Sequence, residues 1–326
     1  MNRPDVAIIN DREGDLLAQA DIINFPKNYR TLIAKGNDYF DAKAWTNALD
    51  CYQQAYDLKV TLSLNILMVT TLKRLAKYSE AVALAEEYLD QYLNEGHLRT
   101  YFYLVLLVDN HEFIQAQRFV SYLVETKHQE DISKLIQLRS RRYTQHKHEF
   151  IQAQIKQSFA LVNDTAAQAM AQIQTLKQLP LAAYLKALAI ILDNEFIHPL
   201  YKTELLSFIA PLKIDQVLTM TWFGSKRQVA LSTLPETYQT ATFLQAQTAL
   251  ATAFDQDPVI GEKAIEELNL QFLLLYPFAD DIVSKSTNWA QVLHESVLGL
   301  PMTDSQQKDI WDWQNRLRKL MDMLIN

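Results

Sequence analysis

The sequence predicts an all-α protein, an α-α superhelix of stacked helical hairpins with one small β-hairpin inserted in the C-terminal half. Three observations predict it. Only 6 Gly and 9 Pro punctuate 326 residues, too few for a many-stranded β protein, while Ala, Leu, Gln, Glu and Lys fill long stretches that favour helix. The heptapeptide HEFIQAQ occurs twice, at 111–117 and 148–154, a shift of 37 residues; self-similarity at that period marks repeated helical pairs. A single segment, Gln216 to Ser232, changes from helical periodicity towards a period of two.

The repeat extends upstream of the heptapeptide. Trp45, Tyr78, Phe113 and Phe150 fall in one column and Ala48, Ala81, Ala116 and Ala153 in another, with spacings of 33, 35 and 37. Such lengths suit two helices of about 12 to 15 residues with short turns, a unit that must stack on neighbours to bury its apolar face. The alanine lets the two helices approach closely, and the aromatic packs over the turn. These residues are spacers of the core.

The first unit resembles the tetratricopeptide repeat. Leu32, Gly36 and Tyr39 stand at its large, small and aromatic positions, and Tyr52 and Ala55 follow Ala48 in the second helix. The second unit keeps Leu72, Ala81 and Tyr88 but has Val69 for the small residue, and the later units keep mainly the aromatic and alanine columns. The resemblance covers 28–160 and sets the expected organisation: an N-terminal segment 1–27, a repeat array 28–160, and a C-terminal helical region 161–326.

In that C-terminal region Pro180 stands where it starts a helix, and Pro199 is read as ending or kinking what precedes it. QVLTMTWFGSKRQVALS, residues 216–232, reads as a β-hairpin around Phe223-Gly224. Thr233, with Pro235 in the first turn, is expected to cap the next helix; Asp257 and Pro258 repeat that signature, and Thr303 is expected to open the final amphipathic helix. This layout resembles an uncharacterised tetratricopeptide family of Gram-positive bacteria with low genomic G+C, and the resemblance brings no activity with it.

Composition excludes several classes. Hydrophobic residues make up 49% of the chain, ample for a core and against disorder, yet no apolar run reaches the roughly 18 residues that span a bilayer. A lone Cys51 and a start without a basic and apolar leader point to a reducing cytoplasm. The net charge of −7 gives no general attraction to nucleic acid.

No catalytic, cofactor or metal site is expected. The 7 His include His146 and His148 close together, but HExxH, paired Cys, GxGxxG and the P-loop pattern are all missing. His111 and His148 recur at one repeat position and read as turn residues. Cys51 reads as a small buried hydrophobe. The one basic run, RSRRYTQHKH at 139–148, carries charge and a tyrosine, leaving RNA or other nucleic acid as an alternative ligand and a cationic end to a protein-binding groove as another reading.

The resemblance implies that the first helix of each pair lines a concave face. Stepping back from each alanine gives Arg30, Ile33 and Asn37, then Ser63, Ile66, Thr70 and Lys73, then Leu98, Tyr101 and Val105, then Leu135, Leu138 and Arg142. Apolar and aromatic positions flanked by cations suit an acidic, hydrophobic protein or peptide partner. Of the clamp that holds chaperone C-terminal tails, only Asn37 is present. The expected function is therefore a non-enzymatic protein-binding scaffold. The alternative is a peptide-sensing regulator, although the short N-terminus leaves no room for a helix-turn-helix ahead of the repeats.

Overall fold

The computed structural model describes residues 27–162, 164–301 and 307–322. Within them lie seventeen α-helices and one two-stranded antiparallel sheet, and 76% of the described residues are helical, the all-α class with one hairpin that the sequence predicts. The expected segment 1–27 and Thr303 fall almost entirely outside the described residues. Two compact units emerge, Met1–His148 with Gln178–Pro180, and Glu149–Lys177 with Leu181–Asn326. The division comes at residue 148 rather than 160, inside the second heptapeptide.

The first unit contains α1 (Lys27–Asp41), α2 (Trp45–Leu58), α3 (Leu62–Arg74), α4 (Tyr78–Glu86), α5 (Leu89–Asn94), α6 (His97–Asp109), α7 (Phe113–Arg118) and α8 (Thr126–His146). Three hairpins, α1–α2, α3–α4 and α6–α7, share one turn. Lys43, Ala76 and His111 adopt φ of 58°, 57° and 66°, and the residues after them, Ala44, Lys77 and Glu112, sit near φ −87° and ψ 61°. Each turn closes with the same two bonds. The N–H of Ala44, Lys77 and Glu112 reaches the carbonyl five residues back, on Tyr39, Leu72 and Leu107; the N–H before it reaches three back, on Phe40, Lys73 and Val108. That is the Schellman arrangement, which satisfies carbonyls a helix end leaves open.

The repeat columns follow from this turn. Trp45, Tyr78 and Phe113 are each the first residue of a second helix, and Ala48, Ala81 and Ala116 are each fully buried. Gly36 is small for a visible reason: a Cβ there would lie 2.5 Å from Cε1 of Tyr52. The fourth copy departs. A single residue, Lys147, joins α8 to α9 (His148–Gln157) in place of three, so His148 is already helical, Phe150 is 42% exposed and Ala153 is exposed.

At the centre of this unit α6 is buried without interruption from Thr100 to Val108. A helix apolar on all sides must be enclosed, and α8 crosses it with Ile132 and Ile136 turned inward. The buried Asn65 side chain is paired on both sides: it donates to the Leu84 carbonyl at 2.7 Å and accepts from the Tyr92 hydroxyl at 3.0 Å. Cys51 is buried as a free thiol.

The second unit holds most of α9, then α10 (Ala166–Lys177), α11 (Leu181–Asp193), α12 (Pro199–Ile209), β1 (Val217–Trp222), β2 (Ser225–Ala230), α13 (Ala241–Ala253), α14 (Pro258–Leu275), α15 (Ala279–Ile282), α16 (Ser286–Val297) and α17 (Lys308–Asp322). β1 pairs with β2 from Val217 opposite Ala230 to Trp222 opposite Ser225. The connection is Phe223-Gly224, both at positive φ, the primed turn that matches strand twist. Trp289 is enclosed between α14 and α17, its indole N–H donating to Gln271 at 2.8 Å while its carbonyl accepts from Gln314 at 2.9 Å. Two expectations are corrected. Pro199 opens α12, its fixed φ and missing N–H suiting a first helical position. The cap ahead of α13 is Thr240, whose hydroxyl accepts from the Phe243 N–H, while Thr233 ends a short 3-10 turn. Among the described residues no helix is long and apolar enough to cross a membrane.

Candidate functional site

The last two turns of α8 run past the core it packs on. Arg139, Arg142, Tyr143 and His146 fall at i, i+3, i+4 and i+7, which places them on one helix face. That face overlooks the end of α6 (Val108 and Asp109), the turn residue His111 and the first residue of α4, Tyr78, with Lys147 closing one side. Together they line a cleft of about 360 Å³, a size that holds a small ligand or one large side chain with its substituent.

Part of the lining is aromatic. The His111 ring stands 4.7 Å from that of Tyr143, and Phe113 packs behind both, 5.7 Å from Tyr143 and 5.9 Å from His111. The left-handed turn is what turns His111 towards α8. The rest of the lining is largely charged. Asp109 is the one carboxylate, held at 4.0 Å from Lys73 Nζ and 3.9 Å from an Arg139 nitrogen. Arg142 and Lys147 are exposed, and among the described residues their side chains make no hydrogen bond or ion pair.

The titrating groups are settled by burial and by these charges. Burial pushes His111 below its usual value, with Lys147 and Arg139 adding to the shift and Asp109 opposing it. Burial raises the Tyr78 hydroxyl, assisted by Asp109 and opposed by Arg139, and burial alone raises Tyr143. At neutral pH the cleft therefore presents the neutral His111 imidazole, two protonated phenols and the cations Arg139, Arg142 and Lys147 against one carboxylate, with the His146 ring also in the lining. It can hold an anion beside a flat apolar surface.

The predicted groove is placed differently. Ile66, Thr70, Tyr101 and Val105 are 7%, 2%, 8% and 2% exposed, so no partner reaches them. The reason is that α8 closes over α6, with the Tyr101 ring 5.5 Å from that of His128, and Ile66 belongs to the same apolar core. Ile33 is half-buried against the first hairpin's core. Arg30 and Asn37 are exposed, and Asn37 accepts from the Tyr52 hydroxyl at 2.7 Å. Leu138 is 40% exposed on α8. Only Arg142 lines the cleft, with Lys73 behind it on Asp109.

Tyr78 and His111 were legible as turn markers and not as lining. The basic run marked Arg139, Tyr143, His146 and Lys147 as a group, and no sequence signal marked Asp109. Among the described residues no three His, Cys, Asp or Glu side chains are grouped to hold a metal. No family model, curated protein or solved structure matches the chain.

Proposed function

We propose that this chain is a non-catalytic protein-binding scaffold of tetratricopeptide type, working in the cytoplasm, whose first unit takes an acidic, hydrophobic segment of a partner at the cleft beside α8. The observation that carries the reading is the pairing of two uncommitted cations, Arg142 and Lys147, with the aromatic lining of His111 and Tyr143. Three hairpins closed by one turn geometry support the repeat reading. A rigid stack of helices presents such a cleft with little ordering cost on binding.

A random copolymer of glutamate and tyrosine, labelled for fluorescence anisotropy, tests the assignment without a known partner. The parent chain binds it, and the charge reversals Arg142→Glu and Lys147→Glu each weaken binding by about tenfold or more, since like charges replace attraction at the contact. Unchanged binding in both variants removes the cleft from consideration. Tighter binding of poly-uridylate than of the copolymer replaces the protein reading with the nucleic-acid one.

A further inference from the structure

We propose that the cleft is built for a phosphorylated tyrosine side chain of the bound segment, which rests on the reading of the cleft as the recognition site and names what it recognises.

The charge balance comes first. Asp109 draws on Lys73 and Arg139, at 4.0 and 3.9 Å, and leaves Arg142 and Lys147 for a ligand. A phosphate monoester carries a charge of about −1.5 to −2 at neutral pH. Its charge matches two cations, whereas a single carboxylate matches one. Arginine's planar fork meets two phosphate oxygens while lysine takes a third as a point charge. Asp109 repels anions and acts on the Tyr78 hydroxyl, which assigns the phosphate to the Arg142 and Lys147 side and keeps it off the Tyr78 side.

Size and shape come second. A cleft of about 360 Å³ has space for much more than a bare phosphate, and beside its arginines, Lys147 and Asp109 the lining is Val108, Tyr78, Tyr143, His111 and His146. Flat, largely apolar side chains suit an aromatic ring in offset or edge-on contact. A ring joined to a dianion fits both halves, and the protein scaffold assigns that group to a partner's side chain.

The test is isothermal titration of the full chain, in phosphate-free and sulfate-free buffer, with O-phosphotyrosine, phenyl phosphate, inorganic phosphate, benzoate and adenosine monophosphate. Phenyl phosphate and O-phosphotyrosine bind about tenfold tighter than benzoate and measurably tighter than inorganic phosphate, because the dianion and the ring each add to affinity. Arg142→Ala and Lys147→Ala each weaken phenyl phosphate by about fivefold or more, while Arg141→Ala, on the same helix but outside the cleft, leaves it unchanged. Benzoate binding as well as phenyl phosphate overturns the proposal. So does an equal loss in Arg141→Ala, which would mean a diffuse basic surface, and so does adenosine monophosphate binding tighter than O-phosphotyrosine. Copolymer binding that survives while phosphorylation adds nothing sinks this inference alone; phenyl phosphate binding without copolymer binding sinks the scaffold reading and keeps the pocket.

Discussion

Among the described residues Lys202 is the one lysine or arginine that is buried. Its side chain is 2% exposed, and its ammonium donates to the carbonyls of Leu192 at 3.1 Å and Thr221 at 2.7 Å, tying the end of α11 to β1. Burial lowers its pKa from 10.5 to about 8, against the pull of Asp193 and Glu195. The folded chain therefore releases this proton near pH 8 while the unfolded chain keeps it to about 10.5. Across that window the unfolded state binds more protons, so this group's contribution to stability rises with pH, by about 3 kcal/mol over the full range. Tyr52, Tyr56, Tyr92, Tyr103 and Tyr276, all raised by burial, act the other way above pH 10. Urea melts of the parent and of Lys202→Met at pH 7.5, 8.5 and 9.5 isolate the lysine: the difference moves in the parent's favour as pH rises. A constant difference would mean the ammonium stays charged. Nothing in the local sequence marks Lys202, because its burial comes from strands and helices that meet only in the fold. The same holds for Tyr101 and Val105: their helical register was readable, and their enclosure by α8 was not.

At the level of elements, the three equal turns carry a testable strain. Lys43, Ala76 and His111 occupy left-handed backbone positions that favour glycine. Ala76 is exposed, so its side chain contributes little to packing. Ala76→Gly relieves a cost of about 1–2 kcal/mol and adds back part of it as chain entropy, a net gain of about 0.5–1 kcal/mol. Thermal or urea denaturation checks the sign; a loss of stability would remove the left-handed turn. These hairpins were legible because spacing and small-residue columns survive in sequence. The helix starts were less so: Thr233 and Thr240 offer the same hydroxyl, and only the path of the chain after β2 selects Thr240. The hairpin at Phe223-Gly224 was readable from β-branched residues flanking a glycine, although its first turn position is a phenylalanine and not the usual asparagine.

For the whole molecule, the net charge of −7 opposes the local charge of the cleft. An acidic probe is repelled at long range and attracted only within about 10 Å of the surface at 0.1 M salt. Salt screens both effects, so the association rate of the glutamate–tyrosine copolymer changes by less than about twofold between 0.05 and 0.3 M, while dissociation quickens as the close contacts weaken. Stopped-flow anisotropy separates the two rates, and a steep fall in association with salt would show that the cleft's own field dominates at long range. One further consequence follows from the twin heptapeptides. In the first copy Phe113 and Ala116 are 2% and 0% exposed; in the second, Phe150 and Ala153 face outward. The same seven letters are thus a foundation stone in one place and a loose tile in the other. Random mutagenesis should tolerate almost any residue at 150 and 153 and almost none at 113 and 116, and the outer copy is where this chain is free to drift.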